Sequence, residues 1–170
     1  MPADPGQNRQ LNRRARLAGR LVAAPARVRR AALAAERAPV GTDDWTAQQV
    51  VLHLVAVEEE VFQQRLLDLR DSASPEWTWV EPGPAESQSG ETLAESVVRF
   101  AGARLATLEW VAALDEAGWA RAGRHATLGV LDVEGILALA ADHDAEHLGT
   151  LVKLGRAAMR RGGIPPPRSP

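Results

Sequence analysis

The chain has 170 residues, 45% of them apolar and 25% charged, a balance that suits one globular domain rather than a disordered chain. It contains no cysteine, which excludes disulfides, Cys-bound zinc or iron–sulfur clusters and a Cys nucleophile. The net charge of −2 conceals a polarity: residues 1–40 carry nine Arg against two acids, and residues 41–100 carry twelve acids against three Arg.

Strand signals are weak, with no Tyr and no Asn-Gly or Asp-Gly turn, whereas the helix formers Ala, Leu, Arg and Glu dominate. The first predicted helix runs from about Gln10 to Arg37 with an apolar stripe at Leu17, Leu21, Val28 and Leu33. Pro25 is expected to break or kink it. The second runs from Thr46 to about Arg70, opened by a Thr46/Gln49 capping box. Its stripe is Val50, His53, Leu54, Val57, Glu58 and Val61. A 20-residue link follows, Asp71–Gly90, rich in Pro and Ser, and long enough to suggest a functional lid.

The third helix spans about Glu91 to Glu116, with Val97, Ala101, Arg104, Leu105, Leu108 and Val111 or Ala112 on one face. The fourth starts at an Asp132 cap and ends near Arg161 before Gly162-Gly163, with Val133, Ile136, Leu137, Ala140, His143, His147, Leu151 and Leu154 on its stripe. Trp45 and Trp119 flank helices and read as core. Four amphipathic helices of this length predict an all-α four-helix bundle over residues 1–163, followed by a disordered Pro-rich tail at 164–170.

No apolar run reaches the roughly 18 residues of a membrane span, and the opening MPADPGQNRQ lacks the layout of a signal peptide, so a cytoplasmic protein is expected. Lys153 is the single Lys and follows no Gly-rich turn, which removes a P-loop. There is also no GxSxG elbow and no GxGxxG after a strand. The Arg-rich start could bind nucleic acid, but no aromatics interleave it and no recognition motif accompanies it, so that reading ranks last.

The informative residues are polar ones on apolar stripes: His53, Glu58, Arg104, His143 and His147. His143 and His147, four residues apart, lie about 6 Å apart along one helix face. They can converge on one metal ion, and His53 on a second helix could complete a three-His site with open coordination positions. The plainer alternative is core histidines satisfied by hydrogen bonds. Glu58 and Arg104 form either a buried ion pair that fixes register or a general base beside an anion-binding group. Trp77 and Trp79 in the link either anchor it or line a substrate pocket. His125, in the turn from Gly123 to Gly129, packs or sits at the rim of the site.

These residues together resemble the DinB/YfiT-like family of metalloenzymes. The resemblance runs through Asp44-Trp45-Thr46, VVLHLVAVEEE (Val50–Glu60), the segment Arg99–His125, and GVLDVEGILALAADHDAEHLGTL (Gly129–Leu151), and covers about residues 17–155. It implies an up-down-down-up four-helix bundle, often a homodimer. It also implies a divalent ion, zinc or nickel, on His53, His143 and His147, with Glu58 and Arg104 at positions where the family places Glu and Arg. For activity it implies a metal-dependent transferase that adds a low-molecular-weight thiol such as mycothiol, bacillithiol or glutathione to a small electrophile. A hydrolase acting through metal-bound hydroxide is the alternative, as is a non-enzymatic stress protein stabilised by its metal. The expected site is Glu58 and Arg104 as catalytic residues, Trp77, Trp79 and His125 toward the substrate, and the three histidines as metal ligands.

Overall fold

Each long helix after the first is started by side-chain chemistry that the sequence carries. The computed structural model describes residues 5–39, 44–87 and 90–162. The helices are α1 (Pro5–Ala35), α2 (Ala47–Val57), which continues through a π-helical turn (Glu58–Gln63) into α3 (Gln64–Asp71), then α4 (Leu93–Ala112), the short α5 (Glu116–Trp119) and α6 (Val133–Gly162). Thr46 and Gln49 form the expected capping box. Thr92 and Glu95 form a second, which starts α4. The Asp132 carboxylate accepts the amide of Gly135 at 2.7 Å to open α6.

Registered side-chain pairs fix the helix directions. Arg20 meets Asp142 at 2.6 Å, Arg13 meets Glu134, and Gly155 lies beside Ala34, so α1 and α6 run parallel. Arg14 near the start of α1 meets Glu116 just past the end of α4, so α1 and α4 run antiparallel. Gln48 reaches Glu91 and Ser96, and Gln63 reaches Ala103 and Thr107, so the α2–α3 rod runs with α4. The result is the up-down-down-up bundle.

Two apolar clusters fill it. One gathers Val28, Val50, Leu54, Val97, Phe100 and Leu151 at one end, and the other gathers Leu17, Leu21, Val61, Leu69, Val111 and Ile136. Along α4 and α6, Arg104, His143 and His147 fall between the two clusters, and His53 and Glu58 lie close to where the clusters meet on the α2–α3 rod. Each fully buried large side chain contributes about 1.5–3 kcal/mol.

Several expectations are corrected. Pro25 lies inside α1 and does not end it: burial of Leu21, Ala24 and Val28 on either side holds the helix across the missing N–H. Leu33 is 37% exposed and Leu105 is 56% exposed. Ala32 and Ala35 take the place of Leu33. Phe100 and Thr107 take that of Leu105, which lies about 100° around the helix from Arg104. Trp45 is 37% exposed rather than core. α4 stops at Ala112, short of Glu116, because Asp115 caps the separate helix α5.

The sequence also concealed a small sheet. β1 (Glu76–Trp77) pairs in parallel with β2 (Ala122–His125), which pairs antiparallel with β3 (Gly129–Asp132). His125 pairs with Gly129 around a three-residue loop, and Gly129 holds φ at +77°. The hairpin therefore uses a Gly-terminated three-residue connection, not the two-residue turn whose absence argued against strands. Trp77, buried, donates its indole N–H to Asp68 at 2.8 Å and pins the link to α3. Among the described residues, no helix is long and apolar enough to cross a membrane. The expected tail at 164–170 lies outside the described residues.

Candidate metal centre

His53 comes from the middle of α2, and His143 and His147 from successive turns of α6. Their ring centroids are 5.1 Å apart for His53–His143, 4.6 Å for His53–His147 and 4.5 Å for His143–His147. One nitrogen of each lies within 4.8 Å of the others. The Nε2 atoms of His53 and His143 are 3.1 Å apart. Two ligands held 2.0–2.1 Å from a shared tetrahedral ion would be separated by about 3.3 Å.

The tautomer of His53 follows from its outer contact. Its Nδ1 lies 2.8 Å from the carbonyl oxygen of Pro82, which can only accept, so Nδ1 carries the proton and Nε2 presents a lone pair to the cluster. Burial, then the neighbouring His147, His53 and Arg104, pushes the pKa of His143 down to about 3. Burial and His53 also lower that of His147. Three imidazoles with one nitrogen each turned toward a common point are the donor set a divalent cation requires, so the residues present fit the metal. Trp45 closes the outer side: its ring lies 4.8 Å from that of His53 and stacks 6.5 Å from His147, tilted by 15°. Sequence reasoning assigned Trp45 to the core, although its position directly before the Thr46 cap places it at the end of the rod that carries His53.

Glu58, Arg104 and Asp144 form a closed polar network beside the histidines. Arg104 donates to both oxygens of Glu58, at 3.0 and 2.7 Å, and to both of Asp144, at 2.6 and 3.1 Å. The Thr107 hydroxyl donates to Glu58 at 2.5 Å. Arg104 and Glu58 are each 1% exposed. Burial opposes the charge on Arg104, but Glu58 and then Asp144 outweigh it and raise the pKa, so the guanidinium stays charged. Burial raises the pKa of Asp144 against the pull of Arg104. Both oxygens of Glu58 and both terminal nitrogens of Arg104 are thus engaged within the network, away from solvent. These contacts are those of the buried ion pair that the sequence offered as one alternative, extended by Asp144.

A cleft of about 240 Å³ opens beside His143, walled by Val61, Phe62, Trp79, Leu128 and Leu139, with Arg65 among its lining. Of the expected substrate residues only Trp79, 63% exposed, lines it. Trp77 is consumed as the anchor of the link. His125 is 1% exposed on β2, behind the edge of Trp79, with ring centroids 6.2 Å apart. Arg65 and Asp144 were missed. Asp144 follows His143 directly and carried a legible signal, whereas Arg65 falls on the inner face only through the packing of the rod.

The DinB superfamily profile matches residues 9–151. Among solved structures, the chain is similar to one described as "YfiT from Bacillus subtilis is a probable metal-dependent hydrolase with an unusual four-helix bundle topology". The identity is 19% and the TM-score 0.61, over 95% of this chain and 91% of that one. No curated protein matches the sequence.

Proposed function

The chain belongs to the DinB superfamily, and on that premise we propose that it is a metal-dependent hydrolase of a small molecule. The observation that carries this reading is the meeting of three imidazoles beside an apolar cleft that opens to solvent. His53, His143 and His147 would hold the ion. A divalent cation, when bound, supplies Lewis acidity toward a carbonyl and toward its attacking nucleophile. The description of the structural relative as a probable metal-dependent hydrolase supports hydrolysis. Nothing among the lining side chains is specific to sulfur, so thiol transfer takes second place.

The protein's own residues have separable tasks in this reading. The Pro82 carbonyl orients His53. Arg104 ties Glu58 of the His53 rod to Asp144, the neighbour of His143, and so holds the two sides of the centre together. Glu58 and Arg104 are positioning residues. Phe62, edge-on to His143 at 6.0 Å, and Trp45 restrict water around the rings.

The test pairs elemental analysis with a substrate screen. The wild type is expected to carry about one divalent ion per chain and His147→Ala none. Nitrophenyl esters or anilides should turn over without added thiol and stop with a chelator. Absence of metal in the wild type, or turnover that requires a low-molecular-weight thiol, overturns hydrolysis.

A further inference from the structure

Arg65 differs from Arg104, the other arginine buried among the described residues. It is 6% exposed, yet among the described residues it has no carboxylate within ion-pair distance. Its one hydrogen bond is a long one, from Nη2 to the Thr78 carbonyl at 3.4 Å, and its guanidinium lies 5.9 Å from the Trp77 ring. Asp68, the nearest acid in sequence, is engaged elsewhere: one oxygen accepts from Gln64 and the other from Trp77, both at 2.8 Å. Burial lowers the pKa of Arg65, outweighing Asp68, which favours its charge through space, and no carboxylate among the described residues pairs with the guanidinium directly. Arg104, by contrast, is saturated by two carboxylates. Arg65 also lines the cleft beside His143, as do Phe62 and Trp79.

A second donor stands at the same end. Nδ1 of His125 accepts the amides of Thr127 at 3.2 Å and Leu128 at 3.3 Å, so its proton is on Nε2. That Nε2 is buried toward the Thr78 carbonyl, which Arg65 also reaches, and makes no close hydrogen bond among the described residues. Trp79 and Leu128, which flank His125, are themselves walls of the cleft.

We propose that Arg65 selects the substrate, and that the substrate is an apolar molecule bearing one carboxylate-like group that pairs with the guanidinium. This rests on the hydrolase reading for its reaction but not for its binding. A planar two-oxygen anion matches the fork of an arginine and supplies the direct partner that Arg65 lacks. The apolar walls receive the body of the molecule and direct it toward His143. The rim carries Glu81, Asp142 and Glu146, of which Asp142 already pairs with Arg20. These exposed carboxylates repel a dianion more strongly than a monoanion.

The probes are phenylacetate, phenylacetamide and phenyl phosphate, with binding followed by calorimetry and tryptophan fluorescence at pH 7. Phenylacetate is expected to bind the wild type at least tenfold tighter than either of the others. Arg65→Gln should abolish that preference and His147→Ala should keep it. Trp79→Ala, at an exposed wall, should weaken acid and amide alike and tests the location even if Arg65→Gln fails to fold. No preference for the acid in the wild type, a preference that survives Arg65→Gln, binding indifferent to Trp79→Ala, or a preference lost in His147→Ala overturns the proposal. In the last case the anion sits on the metal. Failure of the hydrolase reading would appear separately, as a wild type without metal or without thiol-independent turnover while the Arg65-dependent preference persists.

Discussion

The ring of His53 is oriented by Pro82: a main-chain carbonyl from the link, 2.8 Å from Nδ1, turns Nε2 toward His143. The long connection between the second and third rods therefore belongs to the centre. Its grip on the bundle runs through Trp77 and through the amide of Ala85, which donates to Leu52 at 3.0 Å. Trp77→Ala should loosen that carbonyl and lower zinc affinity by about 10- to 100-fold, the usual effect of losing the group behind a ligating imidazole. Competitive zinc titration of variant and wild type checks it, with circular dichroism to show that the helices persist.

The positioning role proposed for Glu58 and Arg104 predicts a loss of stability when their network is broken. Glu58→Gln leaves Arg104 and Asp144 with an unbalanced donor set in a site closed to water, and should destabilise the fold by about 3–5 kcal/mol. Urea unfolding measures it. A catalytic base at this position would instead give a variant of unchanged stability with lost turnover.

Acid should weaken the metal-free protein. The unfolded chain takes up a proton on His143 below about pH 6.5. The native chain resists until about pH 3, because burial and the neighbouring His147, His53 and Arg104 oppose the charge. Between those limits the unfolded state binds more protons, so stability falls as pH falls and is level above the window. Unfolding midpoints in chelator from pH 4 to 8 should show this slope, and His143→Phe should reduce it.

Two glycines should respond in opposite directions to alanine. A Cβ on Gly123 would lie 2.5 Å from Trp77 and 2.8 Å from the Pro75 carbonyl oxygen, so Gly123→Ala should cost about 1–3 kcal/mol. Gly149 lies within α6 with nothing within 4 Å of its would-be Cβ. Gly149→Ala should stabilise by up to about 1 kcal/mol. Thermal melts of the two variants give the comparison.

The amino-acid sequence by itself determined the four rods, the Thr46 and Asp132 caps, and three histidines on inward faces, because helical period and capping are set within a few residues of chain. Only the tertiary structure decided the rest. Whether Glu58 is a base or a bridge depends on Arg104 and Asp144 arriving from two other helices. The β1–β2–β3 sheet depends on Trp77 meeting Gly123 across more than forty residues, and its short strands carry no periodicity of their own. Arg65 became a cleft residue, and Trp45 a cover for the histidines, through the packing of separate rods, which no local spacing encodes.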